Sequence, residues 1–346
     1  VSYYVGAIDG ITVKANGVAL TAENGVYSYE LTNSSVATFE FVSGDKVVYT
    51  LEFRNAGIYG TSITKGYGTE ERPFEIASEA QFNDIKNALG AYFVLTSDIT
   101  FTNNITPIGS NDAPFTGVFN GGGFKLINTY KNNINANCSN VGLFGYASEA
   151  KIYNLILQSP SIKTTANITV SNVGFVAGYA VNCEINQITI NNGSFTTSST
   201  LNITNGGAIA GYAEGCEISN IVINGVSIKG KALNQIGGVV GYAKNVKMEE
   251  ITAKNVEISG NTNLGGLVGK AESVTINVAN VNVTMQVNAN NSKLGAGGCI
   301  GNADGSTNVY FCEVYGQVKV NESYVANEVC VGGFAGNGGN WFDSVT

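Results

Sequence analysis

The segment Gly142-Leu-Phe-Gly145 is the first of seven short apolar phrases, each framed by glycine, that recur along the chain. Their closing glycines lie 28 to 35 residues apart. A repeat of this length indicates supersecondary units that stack on their neighbours, so that most positions are used for packing. The other six phrases are Gly174-Phe-Val-Ala-Gly178, Gly207-Ala-Ile-Ala-Gly211, Gly238-Val-Val-Gly241, Gly266-Leu-Val-Gly269, Gly298-Cys-Ile-Gly301 and Gly333-Phe-Ala-Gly336.

Apolar residues keep a fixed distance from the closing glycine over many repeats. Columns occur seven, ten and twelve positions after it, and β-branched residues dominate them. Spacing by two within a strand, kept in register from repeat to repeat, predicts an all-β fold built as a right-handed parallel β-helix, or solenoid. The column at position seven consists of Ile152, Ile185, Ile218, Met248 and Ile276.

The two ends of the chain differ in pattern. Residues 1–63 alternate apolar and polar residues in short runs, as in Ala37-Thr-Phe-Glu-Phe41, and turn signals such as Glu23-Asn-Gly25 separate the runs. This pattern predicts a small antiparallel β-sandwich of Ig-like type. Residues 64–346 are predicted to form the β-helix.

One amphipathic helix is expected near residues 79–89. Ser78 can act as its N-cap, and Gln81 stands three residues later, where it completes a capping box. Phe82, Ile85 and Leu89 share one face, and Gly90 is expected to end the helix. A helix in front of a β-stack is expected to cap its first coil, because open strand edges invite aggregation.

Composition excludes several function classes. The net charge of −8 argues against nucleic acid or an anionic membrane as a partner, since both attract basic patches. No apolar stretch approaches the 18 residues of a transmembrane helix. The chain begins at Val1 without a signal peptide, so we expect a processed or trimmed chain that has lost its targeting segment. The end, which follows a repeat glycine without a capping helix, suggests that further domains of the same protein continue the chain.

The usual enzyme signatures are missing from the sequence. Without histidine there is no Ser-His-Asp or Cys-His system, and the six cysteines have no zinc spacing. We therefore predict no catalytic residue, no metal and no cofactor. Cys183 and Cys216 occupy equivalent positions of neighbouring repeats, and we expect a buried ladder of free thiols because parallel Cβ vectors disfavour a disulfide.

A tyrosine column is the candidate binding site. Tyrosine follows the closing glycine in the first four repeats, and lysine or asparagine follows it in the last three. Exposed rings could form a strip that binds glycans, whereas stacked rings would be an aromatic ladder that stabilises the coils, which is the interpretation we favour. The lone Trp341 could contact a ligand or cover the end of the stack. The candidate ligand-binding residues are Tyr146, Tyr179, Tyr212, Tyr242 and Trp341.

One pair of carboxylates needs a separate interpretation. Glu184 and Glu217 fall in adjacent coils, at a spacing that suits the acid pair of a retaining glycosidase. Lys151 and Lys247 occupy the same column above and below them, so a charge-compensated surface ladder explains the pair more simply.

The phrases Asn140-Val-Gly-Leu-Phe-Gly-Tyr-Ala147 and Leu264-Gly-Gly-Leu-Val-Gly269 resemble the GLUG motif of Bacteroides-type surface proteins. The segment Gly66-Tyr-Gly-Thr-Glu-Glu-Arg-Pro-Phe-Glu-Ile-Ala-Ser78 is similar to the entry of such arrays. The resemblance implies a secreted or surface-anchored bacterial adhesin, and similar arrays accompany IgA-specific metallopeptidases. It supplies no catalytic residues. Two phrases, at Phe175 and Ala208, carry one additional residue between their glycines and predict a local bulge.

Two functions remain open. The first is a non-catalytic surface module, an adhesin-like stalk or a binder of glycans or of host surface and matrix proteins. The alternative is a carbohydrate-active β-helix, a lyase or hydrolase acting on polysaccharide. Because repetition accounts for the ladders, a site should be sought where the repeat fails.

Overall fold

The computed structural model describes residues 2–30, 36–54, 56–103, 105–129, 133–134, 139–164, 170–197, 203–230, 233–288, 293–320 and 328–338. The chain divides into two compact units, Val1–Ile76 and Ala77–Thr346. Both units consist mainly of β-strands, the first because apolar and polar residues alternate in it and the second because of its glycine-framed repeats.

The first unit contains two antiparallel sheets around one small core. One sheet pairs β1 with β4, and the other has the order β3-β2-β5-β6. Val13, Tyr27 and Phe39 come from three strands and meet in the core. The described strands of this sandwich number six, against the seven of a constant-type Ig domain. The bounds are β1 Ser2–Gly6, β2 Thr12–Ala15, β3 Val18–Ala19, β4 Val26–Glu30, β5 Val36–Ser43, β6 Lys46–Arg54 and, after the sandwich, β7 Phe74–Ile76.

The predicted helix is present but short. α1 spans Glu79–Asp84 and continues as a 3-10 turn over Ile85–Asn87. Ser78 is the N-cap, and its hydroxyl oxygen accepts the Gln81 N–H at 3.3 Å. Phe82 packs edge-to-face on Phe101 and Phe119 at the N-terminal end of the coil stack. The expected stop at Gly90 is wrong, because the helical residues end at Asn87 and the Ala88 N–H closes the last turn on Ile85 O.

Three sheets build the solenoid, namely the largest sheet of the described residues and two others of seven strands each. In the described residues, two early turns contribute short strands, and six coils and part of a seventh follow. The early strands are β8 Tyr92–Leu95, β9 Ile99–Thr100, β10 Val118–Asn120, β11 Lys125–Ile127 and β12 Asn133–Ile134.

Each of coils 1 to 6 passes through one seven-stranded sheet (sheet 1), then the other seven-stranded sheet (sheet 2), and then the largest sheet (sheet 3). The strands are, in coil 1, β13 Asn140–Val141, β14 Phe144–Ser148, β15 Lys151–Gln158 and β16 Ser161–Thr164; in coil 2, β17 Asn172–Gly174, β18 Ala177–Val181, β19 Glu184–Asn191 and β20 Ser194–Thr196; in coil 3, β21 Ile203–Gly207, β22 Ala210–Glu214, β23 Glu217–Asn224 and β24 Ser227–Lys229; in coil 4, β25 Leu233–Gly237, β26 Val240–Lys244 and β27 Lys247–Gly260; in coil 5, β28 Asn263–Gly265, β29 Val268–Glu272 and β30 Thr275–Val287; in coil 6, β31 Lys293–Gly297, β32 Ile300–Asp304 and β33 Asn308–Val320; and in coil 7, β34 Glu328–Gly332 and β35 Ala335–Gly338.

All three sheets are parallel, and the predicted columns set their register. Ile152 lies opposite Ile185, which lies opposite Ile218, and the column continues through Met248 and Ile276. These five side chains are fully buried. The prediction of a parallel β-helix is therefore confirmed, with apolar columns inside and the alternate residues of each strand outside.

Glycine is needed where sheet 1 turns into sheet 2. A Cβ atom on the closing glycine Gly178 would lie 2.6 Å from Val141 N of the preceding coil, far inside van der Waals contact. The bulge predicted at Phe175 and Ala208 is wrong. Gly174 lies opposite Gly207 without a register shift. The corners of later coils have the same number of residues, because each begins with a pair of glycines, as in Gly237-Gly238, whose first glycine aligns with Gly207. It is the first coil whose corner is one residue shorter.

The turns of the solenoid use left-handed residues at fixed positions. One column marks the turn from sheet 2 to sheet 3, and a second interrupts the long strand of sheet 3 between two buried positions. Asparagine, which tolerates positive φ, is common in both. The first column is Glu149, Asn182, Gly215, Asn245, Ser273 and Gly305, and the second, named here the kink column, is Asn154, Gln187, Asn220, Glu250, Val278 and Phe311.

Cysteine and asparagine also form ladders across coils. Cys183 and Cys216 are buried free thiols, and the Cys183 N–H donates to Cys216 Sγ at 3.4 Å, so the expected thiol ladder is confirmed. In sheet 1 the amide of Asn205 donates to Asn172 Oδ1 at 2.6 Å, and the amide of Asn172 donates to Asn140 Oδ1 at 2.8 Å. These contacts satisfy the amide donors of Asn172 and Asn205 between coils.

Candidate functional site

The four predicted tyrosines lie together on the outer face of sheet 2. Tyr146, Tyr179, Tyr212 and Tyr242 are opposite one another in β14, β18, β22 and β26. Each occupies an outward position and is half-buried. Lys270 and Asn302 continue the column in the next two coils.

The rings of this column pack on each other. Tyr146 and Tyr179 are stacked with centroids 4.9 Å apart, and Tyr179 and Tyr212 are stacked at 4.4 Å. Tyr242 meets Tyr212 edge-on at 5.0 Å. The Lys270 ammonium lies 4.8 Å from the centre of the Tyr242 ring, at the end of the run of aromatic rings. The faces that a sugar would need are therefore directed largely at neighbouring rings, as in the ladder interpretation.

A charged row beside the column holds the tyrosine hydroxyls. The Tyr212 hydroxyl donates to Glu214 at 3.0 Å, and Lys244 Nζ lies 3.1 Å from the same carboxylate. The hydrogen bond from Lys244, together with that from Tyr212, lowers the pKa of Glu214. Burial, and then the bond to Glu214, raises the pKa of Tyr212. The row thus ties coils 3 and 4 together with both charges satisfied.

The paired glutamates lie at the turn from sheet 2 to sheet 3. Glu184 and Glu217 are opposite each other, at the wall of a shallow groove of about 310 Å³. Lys151 Nζ, from the preceding coil, lies 2.8 Å from Glu184 Oε2. Lys247 stands opposite Glu217 in the next coil and pairs with Glu249 at 3.1 Å. Lysines above and below the pair are what the surface ladder predicts.

The remaining predicted residue, Trp341, lies outside the described residues. In the ranges that the structure describes, no three Cys, Asp or Glu side chains are grouped to hold a metal ion. The described residues likewise include no helix long and apolar enough to cross a membrane.

The kink column of sheet 3 was not predicted from the sequence. Its early members are polar, but Val278 and Phe311 are apolar, exposed and in the left-handed region, with φ of 56° and 51°. A β-branched or aromatic residue rarely adopts this conformation. A signal was available, because nine positions after the closing glycine the polar residues of four repeats give way to valine in the fifth.

Comparisons with known proteins find partial similarities. Halomucin of Haloquadratum walsbyi is 31% identical over an alignment of 200 residues, and the alignment covers 49% of this chain and 2% of that protein. A protein of Evansella cellulosilytica named "Putative Gly-rich membrane protein" is 31% identical over an alignment of 113 residues, and the alignment covers 30% of this chain and 13% of that protein. The chain thus matches a small part of the length of each relative.

No family model matches the sequence. Among solved structures, one described as a "putative immunoglobulin A1 protease" from Bacteroides ovatus aligns with a TM-score of 0.41 and 17% identity. The alignment covers 72% of this chain and 86% of that chain.

Proposed function

We propose that this chain is a non-catalytic binding or stalk module of a cell-surface or secreted bacterial protein, adhesin-like and built from GLUG-type repeats. The observation that carries the proposal is that outward side chains of adjacent coils satisfy one another. Tyr146 stacks on Tyr179, Lys151 pairs with Glu184, and Lys229 pairs with Glu257. Such self-satisfied faces make a stiff rod and leave few groups free for catalysis.

The surface setting has independent support. The charge of −8 and the low charged content of 13% suit a soluble outer module better than a binder of nucleic acid. The similarity to a halomucin and to a Gly-rich membrane protein points in the same direction. Antibodies against the chain should label intact cells of the source organism or detect the protein in the culture medium. Labelling that requires permeabilised cells would contradict the proposal.

The alternative function is a polysaccharide lyase or hydrolase, and the observation in its support is the groove beside Glu184 and Glu217. Incubation of the purified chain with a panel of polysaccharides, followed by assays for new reducing ends and unsaturated products, separates the two functions. We expect binding without depolymerisation. Chain cleavage that the double substitution Glu184→Gln and Glu217→Gln abolishes would establish the enzyme and overturn the module.

A further inference from the structure

A second groove lies on the outer face of sheet 3, across coils 4, 5 and 6. Its volume is about 330 Å³, at the lower end of the roughly 300–1,000 Å³ of small-molecule sites. Two neighbouring columns line it, the kink column and the outward column that follows it in the strands. The lining residues are Glu250, Ile251, Thr252, Val278, Ala279, Asn280, Phe311 and Glu313.

The apolar part of the groove is exposed where the repeat elsewhere is polar. Phe311 is 69% exposed and Val278 is 48% exposed, whereas the tyrosines of sheet 2 are half-buried against one another. Phe311 therefore presents an aromatic surface to solvent. Left-handed backbone is strained at bulky residues, and packing does not offset that strain where the side chains are exposed.

The polar part of the groove offers ordered acceptors. The Asn280 amide donates to Glu313 Oε2 at 3.1 Å, and the Tyr315 hydroxyl donates to the same oxygen at 3.4 Å. These neutral donors orient the Glu313 carboxylate without neutralising its charge. Among the described residues, the ion pairs of this face do not involve Glu313 or Glu250. Both carboxylates can therefore accept hydrogen bonds from a ligand.

The spacing of the two carboxylates selects the kind of ligand. Glu250 belongs to coil 4 and Glu313 to coil 6, with Val278 and Asn280 of coil 5 between them. Two strand spacings separate the coils, about 10 Å. A ligand that contacts both outer coils must also span the apolar residues between them, which favours an extended molecule over a single small cation. A ligand that fills the groove must carry an apolar surface in its middle and several hydrogen-bond donors around it.

We propose that this groove binds neutral polysaccharide, with a pyranose ring packed on Phe311 and Val278 and its hydroxyls donating to Glu250 and Glu313. A pyranose has an apolar face of C–H groups and a rim of hydroxyls, which matches the apolar and polar parts of the lining. The inference rests on the proposed function, since it assigns a ligand to the binding module. It places that ligand on sheet 3 and not on the tyrosine column.

The test measures binding of the full chain to immobilised neutral glucan, mannan, galactan and xylan, with a poly-lysine peptide as the cationic alternative. The key variant is Phe311→Asn, because asparagine suits the left-handed backbone that it occupies in other coils. Glu313→Gln tests the acceptor. Tyr4→Asn is the matched control, since Tyr4 is 72% exposed in the first compact unit.

We expect the wild type to bind at least one neutral polymer, and Phe311→Asn to weaken that binding by about tenfold or more. Phe311→Asn should keep or raise the thermal midpoint, which separates a binding role from a packing role, and Tyr4→Asn should bind like the wild type. Unchanged affinity of Phe311→Asn, binding of poly-lysine alone, or retention of none of the polymers would overturn the inference. Cleavage of a polymer whose affinity still depends on Phe311 would contradict the non-catalytic function and support the groove.

Discussion

Tyr146 and Tyr179 stack with their ring centroids 4.9 Å apart and their planes 10° from parallel, although 33 residues separate them in the chain. The parallel register of β14 and β18 places them there, since neighbouring strands lie about 4.8 Å apart. The same register aligns Glu184 with Glu217 and Cys183 with Cys216. Repetition alone is therefore enough to produce pairs that look functional.

The tyrosine column should contribute to stability. Tyr179→Ala removes two stacked contacts, and we expect it to lower the free energy of unfolding by about 1–3 kcal/mol, because each aromatic pair contributes about 0.5–1.5 kcal/mol. Chemical denaturation of the purified variants measures this loss. Tyr179→Phe keeps the rings and serves as the control. Equal stability of Tyr179→Ala and the wild type would rule out a stabilising ladder.

The closing glycines should tolerate no side chain. Gly178→Ala would place a Cβ atom 2.6 Å from Val141 N and 2.8 Å from Asn140 C, so the corner must open. We expect a loss of about 1–3 kcal/mol or more, as for other overpacked sites. Gly333→Ala is the matched control, because a Cβ atom there meets nothing within 4 Å. Thermal melts that are equally low for both variants would argue against the steric explanation.

Acid should weaken the tie between coils 3 and 4. The bonds from Lys244 and Tyr212 lower the pKa of Glu214 below its ordinary value of 4.5. A depressed carboxyl pKa stabilises the fold above the unfolded pKa, and this stability is lost as the pH falls through the folded pKa. The melting temperature should therefore drop more steeply below about pH 4.5 in the wild type than in Glu214→Gln. Parallel pH profiles of the two proteins would contradict this linkage.

The tyrosine column should also lose stability at alkaline pH, because the hydroxyl groups of Tyr212 and Tyr242 have raised pKa values. Burial and hydrogen bonds to acidic neighbours raise the pKa of Tyr212 and Tyr242 above the ordinary value of 10.0. A raised pKa stabilises the fold below the unfolded pKa, and this stability is lost as the pH rises toward the folded pKa. Ultraviolet titration should show tyrosines that ionise above pH 10.0 in the folded chain and shift downward on denaturation. If folded and denatured chains titrate alike, the buried hydroxyl bonds are absent.

In the kink column, residues that tolerate a left-handed backbone should give a more stable protein than β-branched residues. Val278→Asn replaces a β-branched residue at φ of 56°, and we expect it to raise the thermal midpoint by about 2–4 °C. Gln187→Val makes the reverse change at the equivalent position of coil 2, with φ of 54°, and should lower the midpoint. Differential scanning calorimetry of both variants measures the pair. Changes of the same sign would show that backbone conformation is not the cause.

The solenoid could be predicted because its determinants repeat. The columns that contain Ile185 and Tyr179 keep one distance from the closing glycine, and the same distance becomes strand register. Features that occur once were predicted less well. The helix ends before Gly90 because a 3-10 turn replaces its last turn. The corner at Phe175 has the same length as the corners of later coils, but those corners begin with two glycines, so that counting from the second glycine makes them look one residue shorter.

The groove around Phe311 could not be predicted from spacing alone. In the sequence, Phe311 looks like one more apolar strand residue. In the structure, its left-handed backbone directs the side chain outward, beside Glu313. An insertion between Asp304 and Asn308 also shifts Phe311 by one position against the closing glycine, which hides its column. Exposure and backbone conformation, and not residue type, distinguish this site from the ladders.

The most direct test is the affinity of three proteins for immobilised neutral polysaccharides, namely the wild type, Phe311→Asn and the double variant Tyr179→Ala with Tyr212→Ala. We predict that Phe311→Asn binds about tenfold or more weakly, while the double variant binds as the wild type does wherever it remains folded. Loss of binding in the folded double variant with full binding by Phe311→Asn would contradict it, and would return the site to the tyrosine column.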